Sequence, residues 1–123
     1  MQRAIPPDLA QGPAREGAQQ HVAIGDLHLA ADNFSGAVEA YAAALQRLGP
    51  QFPAERCQLL EKIAEAESHR GEFDSAMGAL RQARAVARLL RDPRVNARLA
   101  ARLAHLLSEI GQYRSSRRYA LFS

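Results

Sequence analysis

Gly71-Glu72-Phe73-Asp74-Ser75-Ala76 decides how this chain is read, because its pattern occurs three times. The counterparts are Asp32-Asn33-Phe34-Ser35-Gly36-Ala37 and Gly111-Gln112-Tyr113-Arg114-Ser115-Ser116, one on either side of it at nearly equal spacing. Each has a turn-former, a polar residue, an aromatic, two mostly polar residues and a small residue. The physical reading is a tight corner between two helices. Gly71 and Gly111 can take the left-handed conformation that ends a helix, and Asp32 or Asn33 tolerates it too. The aromatic plugs the corner. Ser35, Asp74 and Ser115 are placed to cap the helix that follows. The small residue at the sixth place lets that helix come close to its partner.

Apolar residues at helical spacing flank each corner. Val22, Ile24, Leu27, Leu29 and Ala30 precede the first, and Ala37, Val38, Tyr41, Ala44, Leu45 and Leu48 follow it. Gly49-Pro50 and Pro53 then stop the helix. Leu59, Leu60, Ile63, Ala64 and Ala66 precede the second corner, with Ala76 to Leu90 behind it, closed by Asp92-Pro93. Val95, Leu99, Leu103, Leu106, Leu107 and Ile110 precede the third. The pattern predicts six helices, near 17–31, 34–48, 54–70, 73–91, 94–110 and 113–122. They group into repeats near 18–53, 54–93 and 94–123, the last incomplete. Residues 1–17, with Pro6-Pro7, Gly12-Pro13 and Gly17, read as a flexible leader.

Composition agrees with an all-α chain. Of 123 residues 25 are alanine, the best helix former and the smallest residue that still packs. The single cysteine, Cys57, cannot form an internal disulfide and reads as a buried small hydrophobe. No apolar run opens the chain, and none approaches the length of about 18 residues that a membrane span needs. The expected location is the cytoplasm. Charge is uneven. Residues 1–70 hold six Lys+Arg against nine acids, and residues 71–123 hold ten Arg against four acids, so the halves are −3 and +6. The chain has an acidic end and a basic end.

In register, these features resemble the tetratricopeptide repeat (TPR) family, whose motif alternates small and large residues over about 34 positions. The first repeat matches with Ile24-Gly25, Ala37, Tyr41, Ala44 and Gly49-Pro50. The second offers Leu60, Ile63-Ala64, Phe73, Ala76, Leu80 and Ala83, and the third Leu103-Ala104, Leu107, Tyr113, Ser116 and Ala120. Glu67 stands where the family usually has an aromatic. The period is longer than usual because the second helix of repeat two is expected to run on to Arg91. The resemblance covers roughly residues 18–123 and implies a right-handed α-α superhelix. Long-period repeats of this kind are similar to those of bacterial regulatory and signalling proteins. That analogy implies the interaction or sensory part of a cytoplasmic regulator, in signalling or transcription regulation.

The resemblance also implies a concave groove lined by the first helix of each repeat. Its candidate residues are Gln19, Val22, Asp26 and Leu29, then Gln58, Glu61, Glu65, Ser68 and His69, then Arg98, Ala101, His105, Ser108 and Glu109. Asp26, Glu61 and Glu65 make the middle acidic. Glu61 and Glu65, four apart on one helix, repel by a few tenths of a kcal/mol. The expected partner is therefore a protein or peptide that is basic or uncharged at the groove. Family members that hold acidic chaperone tails carry Lys and Asn at the positions of Val22 and Asp26, which speaks against that partner here. The bland alternative is an ordinary solvated helix face.

An arginine stripe runs Arg81, Arg84, Arg88, Arg91, Arg94, Arg98, Arg102. Arginine pairs bidentately with carboxylates and phosphates. The stripe suits an acidic protein, a second copy of the chain or, as a weaker alternative, nucleic acid, for which interleaved stacking aromatics are lacking. It is also what a solvated face looks like where arginine replaces lysine. Four histidines, His21, His28, His69 and His105, lack metal-ligand spacing, so neither metal nor cofactor is expected. No constellation for catalysis is found, and the chain does not read as an enzyme. Leu106, Ile110, Leu121 and Phe122 are candidates for an exposed apolar end that joins copies, a homodimer in its simplest form. The leading expectation is thus a protein-interaction scaffold, the N-terminal piece of a longer protein. The alternative is a structural oligomerisation domain acting by self-association.

Overall fold

The computed structural model describes the backbone of residues 7–122 and the side chains of residues 12–117. Among these residues there are five helices and no strand: α1 (Pro7–Ala30), α2 (Phe34–Arg47), α3 (Pro53–His69), α4 (Phe73–Ala87) and α5 (Pro93–Phe122). The chain is all-α, as composition and periodicity predict.

The first two corners form where the hexapeptides place them. Asp32 and Gly71 both take positive φ, 57° and 75°. At the first corner the N–H of Asn33 donates to the carbonyl of His28 at 2.8 Å, and that of Asp32 to Leu29 at 3.1 Å. At the second, Glu72 donates to Glu67 at 2.9 Å and Gly71 to Ser68 at 3.0 Å. One Schellman closure is therefore made twice. The caps differ from expectation. Asn33, not Ser35, caps α2 by accepting from the N–H of Gly36 at 3.1 Å. Glu72 stands at the head of α4 without a side-chain cap bond. The left-handed residue returns the chain to helical geometry early, so Ser35 and Asp74 already lie inside their helices.

The third corner does not form. Helix α5 runs unbroken through Gly111 and Ser115, and the sixth helix expected at 113–122 is its last third. The aromatics show why. Phe34 stacks on His69 of α3 with ring centroids 4.7 Å apart, and Phe73 meets Tyr113 of α5 edge-on at 5.5 Å. Each corner is held by the layer that follows it. Among the described residues no layer follows α5, so nothing holds a bend at Gly111. The cost of a helical glycine, about 1 kcal/mol, is too small to break the helix unaided.

Two further boundaries move. Helix α1 begins at Pro7, so most of the stretch read as a leader is helical, with Pro13 inside it. Helix α4 stops at Ala87 instead of Arg91: residues 88–90 form a turn and Arg91 takes φ 51°. The long period thus comes from the connection 88–92, equal in length to 48–52 between α2 and α3.

Each helix packs on its neighbours in sequence, α1 on α2, α2 on α3, α3 on α4 and α4 on α5. Two buried clusters result. One joins Ala18, Ala37, Tyr41, Ala44, Leu48, Phe52, Leu59 and Ala66. The other joins Cys57, Leu60, Ala64, Ala76, Ala79, Leu80, Ala83, Ala87, Leu99 and Leu106. Helix α3 serves both, from opposite sides. Tyr41 is fully buried because Gly25 lets it in: a Cβ built on Gly25 would lie 2.5 Å from the Tyr41 ring. Cys57 is buried as expected, its thiol donating to the carbonyl of Ala83 at 3.1 Å. Not every apolar residue of the predicted stripes is covered. Ile24 and Leu27 are exposed, because α2 takes only one side of α1. No helix among the described residues is long and apolar enough to cross a membrane.

Candidate protein-interaction groove

Helices α1, α3 and α5 alternate with α2 and α4, so their open sides form one face. Among the described residues, two hollows flank a third on it, the middle one of about 250 Å³ lying over Gln58, Glu61, Lys62, Glu65, Arg98 and Arg102. The larger of the flanking pair, about 540 Å³, sits between α3 and α5, with Ala64, Leu80 and Leu106 as an apolar floor and Glu65, Ser68, His69, Arg98, His105 and Glu109 around it. The smaller, about 210 Å³, lies between α1 and α3 against Gln19, Val22, Gln58 and Leu59. Gln58, Glu61, Glu65 and Ser68, which the resemblance assigns to a groove, border these hollows from α3.

Most of the expected groove residues meet there, but not all as lining. Leu29 is half-buried against the first core cluster instead. Ser108 is exposed and borders none of these hollows. The ring of His69 faces Phe34, and His105 contacts Glu109 at 2.6 Å within α5. Sequence reasoning missed Arg15, Glu55 and Lys62 between α1 and α3, and it put Arg102 on the outer stripe.

Two of the three acids expected at this centre are paired. Glu61 is buried, and its carboxylate accepts from both Nε and Nη2 of Arg98 at 2.9 Å, while Arg102 Nε lies 2.9 Å from Oε1. Two guanidiniums on one carboxylate leave this cluster with one net positive charge. The hydrogen bonds that Arg98 donates to Glu61 lift its pKa above its ordinary value. Asp26 is occupied as well, accepting from Tyr41 Oη at 2.5 Å and from Lys62 Nζ at 2.9 Å. Desolvation pushes the pKa of Asp26 up, but these two bonds outweigh it and hold the carboxyl below its ordinary range. Burial first, then the bond to Asp26, drives the Tyr41 hydroxyl far above the usual tyrosine value. Burial, reinforced by Glu61 and opposed by Arg98, also raises the Cys57 thiol. Among the described residues Glu65 is the exposed acid of this centre that has no ion-pair partner.

The chain matches no family model, no curated protein and no solved structure. Its own geometry is therefore the ground for a functional reading.

The arginine stripe divides. Arg81 and Arg84 stay exposed on α4, Arg88 is exposed just past its end, and Arg91 and Arg94 sit at the turn into α5. Arg98 and Arg102 leave them for the groove, because a helix that begins at Pro93 turns positions 98 and 102 towards α3. The self-association candidates divide too. Leu106 is buried against α4 and Ile110 is half-buried beside it, so neither offers an exposed patch. The side chains of Leu121 and Phe122 lie outside the described residues. Among the described residues no group of three or more His, Cys, Asp or Glu is placed to hold a metal ion.

Proposed function

We propose that this chain is a protein-interaction scaffold of stacked TPR-type repeats, and that its α1-α3-α5 face holds a segment of a partner protein. The hollow between α3 and α5 supports this reading best. It offers an apolar floor between charged walls, a combination that suits a side-chain-bearing peptide. The repeated corners support a solenoid, in which alternate helices line one surface. The partner segment lays small apolar side chains on Ala64, Leu80 and Leu106 and presents a cation or a neutral donor to Glu65. Arg98 and Arg102 are spent on Glu61 and act as walls.

The experiment is selection of a peptide library on the immobilised chain, with Glu65→Lys and Ala101→Arg as comparison baits. Enriched peptides that bind the parent chain and lose affinity for both variants support the reading. Peptides indifferent to both variants, or enriched in acidic residues, contradict it. The cytoplasm as location and a role in a bacterial regulator belong to this proposal as its wider frame.

A further inference from the structure

Helices α3 and α5 are register equivalents, with Leu59 matching Leu99, yet they are covered differently. Leu59 and Ala66 are buried, and so are their counterparts Leu99 and Leu106. The other side of α3, formed by Cys57, Leu60, Ala64 and Glu67, is at most 5% exposed because α4 lies on it. Its counterparts on α5 are Ala97, Ala100, Ala104 and Leu107, and all four are exposed, Leu107 by 54%. Thus α5 has the small-residue face that receives a second helix, and the place of that helix is empty among the described residues.

The sequence places a candidate next to it. Gly111-Gln112-Tyr113-Arg114-Ser115-Ser116 repeats the two hexapeptides that do form corners, with Gly111 at the place of Gly71, which takes φ 75°. Residues 111–117 are all exposed on α5, and a Cβ on Gly111 would meet open space. The Cys57–Ala83 contact fixes how α4 lies on α3: position 57 opposite 83, hence 60 opposite 80 and 64 opposite 76. Carried on to the next repeat in the same register, Ala104 falls opposite Ser116, small on small.

We propose that the bare face of α5 is the seat of the chain's own residues 113–122, which swing back about Gly111 and lie on α5 as α4 lies on α3. The straight helix and the closed hairpin are then two arrangements of one segment. Closure covers Ala97, Ala100, Ala104 and Leu107, and opening exposes them. This inference is independent of what the groove binds.

The test is a chain carrying Ala104→Cys and Ser116→Cys. In the straight helix their Cα atoms are about 18 Å apart, far beyond the roughly 7 Å limit for a disulfide. In the hairpin they face each other. Cys57 stays in place because it is 1% exposed, and Ala104→Cys alone gives the background. Mild oxidation followed by peptide mapping reads the result. An intramolecular 104–116 disulfide is expected, formed about tenfold more slowly when Gly111→Ala is added, since alanine resists the left-handed conformation. No 104–116 disulfide, or one found only between molecules, overturns the proposal. So does an intramolecular link whose rate ignores Gly111→Ala.

Discussion

At Gly25 a single added carbon would sit 2.5 Å from the Tyr41 ring, and helix α1 cannot retreat without uncovering that ring. Gly25→Ala is therefore expected to cost about 1–3 kcal/mol of stability, the usual range for overpacking a close contact. Urea unfolding checks this, and an unchanged midpoint would refute the close approach. The Tyr41 hydroxyl gives a pH signature. Its pKa is raised by folding, so its contribution is intact below the ordinary tyrosine value of 10.0 and is lost as pH climbs above it. Stability should fall more steeply above pH 10.0 in the parent chain than in Tyr41→Phe, which removes the ionisable group and about 1 kcal/mol of hydrogen bonding at neutral pH. Melts from pH 7 to 11 compare the two. Arg98→Ala leaves the buried Glu61 with Arg102 alone. With both guanidinium side chains near 45% exposed, the expected cost is about 1–2 kcal/mol, below that of a fully buried pair.

At the scale of elements, what could be read in advance was local. Asp32 and Gly71 sit where a left-handed residue ends a helix, and the hydrogen bonds that close both corners join near neighbours in sequence. Periodicity identified the apolar faces of α2, α3 and α4 for the same reason. Gly111 carries the same local signal without the same outcome in this arrangement, where no following layer helps to hold its aromatic as one does at Phe34 and Phe73. That condition belongs to the tertiary structure. The Glu61–Arg98–Arg102 cluster was hidden likewise. Glu61 and Glu65 are visible as acidic neighbours on one helix, but the arginines that neutralise Glu61 belong to α5, a full repeat further on, and arrive only through stacking. Helix α5 is the element most dependent on a single contact face. Leu99→Ala empties a fully buried site in that face and is expected to cost about 2–5 kcal/mol. Hydrogen exchange should speed up most in α5 and least in α1 and α2. Uniform acceleration over all helices would show that the layers do not unfold separably.

For the whole molecule, neighbour-on-neighbour packing governs what can bind where. Each of α1, α3 and α5 gives one side to the core and another to the shared open face, so a ligand on that face touches three helices far apart in sequence. The exposed arginines of α4 lie off that face, and a ligand held by them would report on different residues. The two modes are therefore separable by position as well as by affinity. The direct measurement is amide chemical-shift mapping of the isotope-labelled chain, titrated with the strongest library-selected peptide. The proposed scaffold predicts shifts at Gln19, Gln58, Glu65, Ser68 and Ala101, spread over α1, α3 and α5, with Arg81, Arg84 and Arg88 unmoved. Shifts confined to the α4 arginines, or absent from α3, would contradict it.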